Sequence, residues 1–161
     1  MASNQENNMS LFKCFSTLPE NKATLALQAV KAASASLDID ESIRAHKIWH
    51  KRLTHYVDQH EANLLDPELI ADDQSCILGQ WLYSDGQRHL ANQPCFVNLQ
   101  NLHQHFHREA ARVVSMGQEQ HDEEASAMLH DKLAQLSSEI YQQLADMKTL
   151  QQQQDGHDER G

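Results

Sequence analysis

Glycine and proline are scarce in this sequence, which has five Gly and three Pro among its 161 residues. Because both residues interrupt helices, their scarcity over long stretches favours an all-α chain. The prolines Pro19, Pro67 and Pro94 divide the chain into helical segments. Residues 76–83 form a short apolar piece whose period would also suit a strand, but the sequence offers no second strand to pair with it. We therefore expect a short helix there.

Long apolar runs are also missing, and no stretch approaches the roughly 20 residues that a membrane-spanning helix needs. The first residues, MASNQENNMS, lack the basic and apolar regions of a signal peptide. We therefore expect a cytoplasmic protein without membrane insertion. Positive charge is scarce as well, since 13 Lys and Arg against 23 Asp and Glu give a formal net charge of −10. Such a charge argues against nucleic acid as a partner.

Cysteine is rare too, whereas histidine is abundant. Three cysteines that lie far apart do not suggest a disulfide framework, so free thiols or a metal ligand are expected. Cys14 and Cys95 have no ligand partner at a suitable spacing and are predicted to be free thiols. The eleven histidines outnumber glycine and proline together, which directs the search for chemistry to them.

Apolar residues recur at three- and four-residue steps in residues 39–57, 96–114 and 128–147, which predicts three long amphipathic helices. Residues 22–36 form either a separate helix or an extension of the next one. Packed against one another, these segments predict a four-helix bundle with a short additional helix that carries Cys76. The apolar stripes are thin for a monomer of this size, which favours a homodimer.

The composition also predicts how the chain is divided. Residues 1–20 are expected to be a flexible N-terminal extension with a small hydrophobic clip that docks on the body or on a partner. Residues 21–150 are expected to form the helical bundle, and residues 151–161 a polar C-terminal tail.

His103 and His107 are four residues apart, so both imidazoles project from one face of a helix. They lie on the apolar stripe beside Leu102, Phe106 and Ala110. One interpretation is that both are core histidines satisfied by hydrogen bonds. The other is a metal site, since a pair at this spacing can bind one ion without straining the backbone.

His46 lies on the apolar stripe of the preceding long helix. At a rise of about 1.5 Å per residue, an antiparallel arrangement would place it at the same depth as the histidine pair. The short segment around Cys76 could fold over the bundle and supply a thiolate. Three imidazoles and one thiolate are a donor set that Zn²⁺ favours. The candidate zinc ligands are therefore His46, Cys76, His103 and His107, with His50 in reserve.

Two other kinds of function are disfavoured. Di-iron sites of the ferritin type need Glu-x-x-His on helices, and no histidine here has an acidic residue three positions before it. A closed site with four protein ligands leaves no open position for a substrate or an activated water. Phosphate-binding glycine loops and nucleophile elbows are absent from the sequence as well. We therefore do not expect an enzyme.

The sequence resembles the bacterial chemoreceptor zinc-binding (CZB) family in three motifs, in the order AHKIWHKRL, CILGQWLY and HQHFHREA. The resemblance covers residues 38–150, with a departure at Ile48, where many members carry an aromatic residue or Leu. It implies a four-helix bundle with a short extra helix, a homodimer and one zinc per subunit. The ligands it implies are His46, Cys76, His103 and His107.

Members of this family are usually fused to chemoreceptor signalling hairpins or to diguanylate cyclase domains, where zinc tunes the output. The resemblance therefore implies a zinc-sensing regulatory module that acts on such a partner in trans or as a lone sensor. Two alternatives stay open. One is a redox sensor in which an oxidant attacks the zinc-bound thiolate of Cys76. The other is a structural helical interaction protein whose histidines are packing residues.

Overall fold

The computed structural model describes residues 19–158, and helices make up most of this segment. The first two long helices are α1 (Glu20–Ser34) and α2 (Ile39–Asp58). After a 3₁₀ turn (Ala62–Leu64) come the short helices α3 (Pro67–Ala71), α4 (Ile77–Leu82) and α5 (Asp85–Leu90). The chain continues through α6 (Pro94–Gln118), α7 (Asp122–Met128), a π turn (Leu129–Leu133) and α8 (Ala134–Asp158).

The fold within residues 19–158 contains no strand, which confirms the all-α prediction. Helices α1, α2, α6 and the continuous α7–α8 form the expected four-helix bundle, and α4 is the short helix with Cys76 as its N-cap. The first two helices are separate, because Asp38 starts a new one by accepting a hydrogen bond from the Glu41 amide at 2.9 Å.

The predicted apolar stripes form the core of the bundle. Buried side chains on α6 and α8 include Phe106, Ala110, Val113, Val114, Leu136, Ile140, Leu144 and Met147. Helix α6 packs against α3 and α8, and α2 also packs against α8. The indole nitrogen of Trp81 donates a buried hydrogen bond to the carbonyl of Ala33 at 2.8 Å. This bond anchors α4, and with it the neighbouring Cys76, to the end of α1.

The prediction of a free thiol at Cys95 is wrong, since this buried residue of α6 is disulfide-bonded. Chain folding can bring together cysteines that lie far apart in sequence, so spacing alone did not reveal the bond. Cys14 and the hydrophobic clip lie outside the described residues, and the division of the chain at residues 20 and 150 stays a prediction. In the part of the chain that is described, no helix combines the length and apolar character needed to cross a bilayer.

Candidate metal centre

Three predicted ligands meet between the short helix α4 and the long helix α6. The sulfur of Cys76 lies 3.2 Å from Nε2 of His103 and 3.8 Å from Nε2 of His107. One donor atom from each of these residues lies within 4.8 Å of the other two. Both histidines are buried and the cysteine is partly buried. Cys76, His103 and His107 are therefore positioned to bind a metal ion.

The spacing of these donors fits zinc. Bond lengths of about 2.3 Å to sulfur and about 2.0–2.1 Å to nitrogen separate the two atoms by about 3.6 Å in a tetrahedral site. The observed separations of 3.2 and 3.8 Å lie on either side of that value. Thiolate and imidazole are also donors that zinc accepts readily. When bound, zinc would supply a cross-link between the start of α4 and one face of α6.

The backbone around Cys76 explains why this residue faces the histidines. Its sulfur caps α4 by accepting a hydrogen bond from the amide of Gly79 at 3.3 Å. A Cβ atom at Gly79 would lie only 1.7 Å from the carbonyl oxygen of Asp73, so only glycine lets α4 approach the preceding loop this closely. Burial raises the pKa of the Cys76 thiol, so the metal-free thiol keeps its proton at neutral pH.

His107 has its ring orientation fixed by the backbone. Its Nδ1 lies 2.7 Å from the carbonyl oxygen of Ile70, in α3. A carbonyl can only accept a hydrogen bond, so Nδ1 carries the proton and the lone pair of Nε2 is available to a metal. Burial lowers the pKa of His107 and keeps the ring neutral at pH 7.

His103 is oriented differently, because its Nδ1 is buried without a hydrogen-bond partner among the described atoms. The nearest carboxylate contact is Oδ2 of Asp73 at 4.0 Å. Burial, and after it the neighbouring His107 and His46, lower the pKa of His103 to about 3. The ring is therefore neutral at physiological pH and able to donate its Nε2 lone pair to a metal.

The structure does not bring His46 into the group of three. Its Nε2 lies 3.2 Å from the hydroxyl of Ser137 on α8, and its ring packs on Phe106 with centroids 4.4 Å apart. His46 nevertheless lines the same cavity of about 420 Å³ as Cys76 and His107. Burial, followed by His107, lowers the pKa of His46 to about 3. Its role as the fourth ligand stays a prediction.

His50, the reserve ligand, also stays outside the group, with its ring centroid 6.4 Å from that of Phe106. Sequence reasoning missed two residues near the ligands, Ser137 and Asp73, and it identified Tyr83 only as an anchor of the short helix. The hydroxyl of Tyr83 donates to Oδ2 of Asp73 at 2.7 Å. Burial and this carboxylate raise the pKa of Tyr83 to about 12, so the phenol keeps its proton. The one sequence feature that could have pointed to Asp73 is its position three residues before the predicted ligand Cys76.

Comparison with protein families identifies the segment that holds this site. Residues 46–114 match the chemoreceptor zinc-binding (CZB) domain. The family resemblance predicted from the sequence is confirmed over this segment, and zinc is confirmed as the expected cofactor. The CZB match starts at His46 and includes Cys76, His103 and His107. No curated protein and no solved structure gives a significant match to the chain.

A CZB domain is a regulatory zinc-binding unit associated with chemoreceptors and other signalling proteins, and it is not a known catalytic family. The match therefore implies a zinc-binding sensory module. Zinc held between α4 and α6 would make the packing of these helices depend on metal occupancy, as such a module requires.

Proposed function

We propose that this protein is a zinc-responsive regulatory module that reports zinc to a bacterial signalling output of the chemotaxis or cyclic-di-GMP type. The observation that carries the proposal is the convergence of one thiol and two imidazoles from two different helices. A metal bound there would join α4 to α6, two helices that are not adjacent in sequence. Occupancy can then shift the bundle between two arrangements, which a partner can detect.

In this proposal the full ligand set is His46, Cys76, His103 and His107. The cavity that His46 shares with Cys76 and His107 supports its inclusion, because the open space between these side chains lets the imidazole approach the other ligands. Zinc would then link α2 to α4 and α6. Four protein ligands leave no open position for substrate, so the module acts by binding and not by catalysis.

The proposed partners are a second copy of the chain, as a homodimer, and a signalling protein such as a chemoreceptor or a diguanylate cyclase. Apolar side chains near the metal centre support a protein partner. Leu69 and Ile77 are exposed by 70% and 47%, and both line the same cavity as Cys76. Exposed apolar residues grouped in this way are typical of interaction surfaces.

The first experiment is elemental analysis of the purified protein after zinc loading and gel filtration. We expect about one zinc per chain in the native protein and marked loss in Cys76→Ala, His103→Ala and His46→Ala. His105→Ala is the matched control, because His105 lies on the same helix but pairs with Glu109 at 3.3 Å, away from the ligands. A native chain that takes up no zinc would overturn the proposal.

A redox sensor is the second candidate, and one observation favours it. Cys76 is a free, partly buried thiol that lines a cavity reaching the protein surface. A small oxidant that enters this cavity can reach the sulfur, which is more exposed than the histidines that share the lining. Zinc release measured with a chromophoric chelator after addition of hypochlorous acid separates the two functions. Release within seconds favours the redox function, and zinc retained over minutes favours zinc sensing.

A further inference from the structure

Asp73 is a buried carboxylate beside the metal centre. Its exposed fraction is 8%, and its Oδ2 accepts a hydrogen bond from the hydroxyl of Tyr83 at 2.7 Å. No lysine or arginine in the described part of the chain forms an ion pair with it. The imidazole in contact with it is that of His103, whose Nδ1 lies 4.0 Å from Oδ2 of Asp73. A buried carboxylate without a neighbouring cation is unfavourable, so the contacts of Asp73 leave its charge unbalanced.

The imidazole of His103, which faces Asp73, needs a hydrogen-bond acceptor. Nδ1 of His103 is buried and lacks a hydrogen-bond partner among the described atoms. Since Nε2 is the atom beside the sulfur of Cys76, Nδ1 must carry the proton when Nε2 binds a metal. That proton then needs an acceptor. A closure of about 1 Å would give Nδ1 and Oδ2 of Asp73 an ordinary hydrogen bond.

The charge of the zinc–thiolate group also indicates a role for Asp73. Zinc carries two positive charges, one thiolate removes one of them, and neutral imidazoles remove none. The zinc–thiolate group is therefore left with one positive charge in a buried place. The buried carboxylate of Asp73 supplies a negative charge that balances it.

The loop that carries Asp73 is also tied to the ligand-bearing helix. The backbone of Gly79 in α4 leaves no room for a Cβ atom against the carbonyl of Asp73. Tyr83, which bonds the carboxylate, is the C-cap residue of the same helix. Asp73, Cys76 and Tyr83 thus belong to one packed unit that faces His103.

We propose that Asp73 is the outer carboxylate of the zinc centre, which accepts a hydrogen bond from Nδ1 of His103 and balances the charge of the zinc–thiolate group. Tyr83 is the positioning residue that holds this carboxylate in place. The inference rests on the proposed zinc function, because it concerns how the same centre is tuned. Outer partners of metal-bound histidines fix the tautomer and raise the basicity of the ligand.

The decisive variant is Asp73→Asn, which keeps an oxygen for the Tyr83 hydroxyl and removes the charge. We expect zinc affinity, measured by competition with a chromophoric chelator, to fall about 10- to 100-fold. Thermal unfolding of the metal-free variant is expected at the native temperature or higher, because a buried uncompensated carboxylate has been removed. This opposite behaviour of affinity and stability distinguishes a metal-tuning residue from one with a structural role.

Asp72→Asn is the matched control. Asp72 has the same charge and is next in sequence, but it is exposed and its Oδ1 accepts a hydrogen bond from the amide of Gln74, which asparagine can also do. We expect its zinc affinity to stay within about threefold of native. Tyr83→Phe should weaken zinc binding less than Asp73→Asn and add little to it in the double variant.

Three outcomes would overturn the inference. They are an affinity for Asp73→Asn equal to that of Asp72→Asn, a metal-free Asp73→Asn protein that is clearly less stable than native, or full additivity of the two substitutions at Asp73 and Tyr83. In each of these cases a native chain that binds zinc leaves the proposed function standing. A native chain that does not bind zinc overturns the proposed function as well.

Discussion

The hydrogen bond between His46 and Ser137 makes a quantitative prediction about zinc affinity. Nε2 of His46 lies 3.2 Å from the hydroxyl of Ser137, and both side chains are buried. If zinc recruits this nitrogen, the bond must break. Removing the hydroxyl with Ser137→Ala takes away the contact that would compete with zinc for this nitrogen. Zinc binding should therefore become stronger.

The size of the effect follows from the energy of one buried hydrogen bond. Such a bond contributes about 1 kcal/mol, and 1.4 kcal/mol corresponds to about a tenfold change in affinity. We therefore expect Ser137→Ala to bind zinc about fivefold more tightly in chelator competition. Ser138→Ala, whose side chain is exposed on the same helix, is the control and should leave affinity unchanged.

A double-mutant cycle tests whether Ser137 affects zinc binding through His46. If His46 is the group released by the substitution, the gain must disappear when Ser137→Ala is made in a His46→Ala background. An unchanged or weaker affinity in the single variant would refute the idea that Ser137 competes with the metal. The same fivefold gain without His46 would show that the hydroxyl acts through another residue.

Three further predictions concern the same region. Gly79→Ala should lower the unfolding free energy by about 1–3 kcal/mol in urea titrations, because its Cβ would lie 1.7 Å from the Asp73 carbonyl; a loss below about 0.5 kcal/mol would contradict this. His46 and His103 have pKa values of about 3 in the folded protein against 6.5 in the unfolded chain. Their contribution to the unfolding free energy is therefore complete above pH 6.5 and is lost as the pH falls from there toward 3. Urea titrations of the metal-free protein should show each histidine lowering the unfolding free energy by roughly 0.7 kcal/mol between pH 7 and 6 and by roughly 1.2 kcal/mol between pH 6 and 5, and an equal slope in His103→Ala would argue against it. Zinc binding at pH 7 should release about one proton, which comes from the Cys76 thiol and not from the imidazoles. Calorimetry in buffers of different ionisation enthalpy measures this number. Release of two or more protons would mean that an imidazole is charged in the metal-free protein, against its lowered pKa.

The sequence was sufficient to predict the long helices, the short helix at Cys76 and three of the residues that meet at the metal centre, but not the short helices α3 and α5. His103 and His107 had to share a face because of the helical period, and the short segment at Cys76 had to cross between two long helices. Both features depend on local geometry. The outcome for His46 was different, since its hydrogen bond joins residues 91 positions apart in sequence.

The residues that sequence reasoning missed depend on side-chain packing across elements. The contact between Ser137 and His46 depends on the register of α2 against α8, which neither helix specifies alone. Asp73 lies in a connecting loop where Asp72 is chemically identical, and only the fold buries one and exposes the other. The disulfide at Cys95 is another long-range feature that spacing does not reveal.

The π turn at Leu129–Leu133 has a consequence for how this chain can vary in length. A π turn accommodates one residue more than an α-helical turn, so it rotates everything after it by about 100° around the helix axis. Ser137 and Tyr141 lie beyond the turn, and both face His46 because of that rotation. Deleting a single residue in this turn would direct them elsewhere, even if every remaining side chain were kept. The number of residues in the π turn is therefore constrained as well as the identity of the residues that follow it.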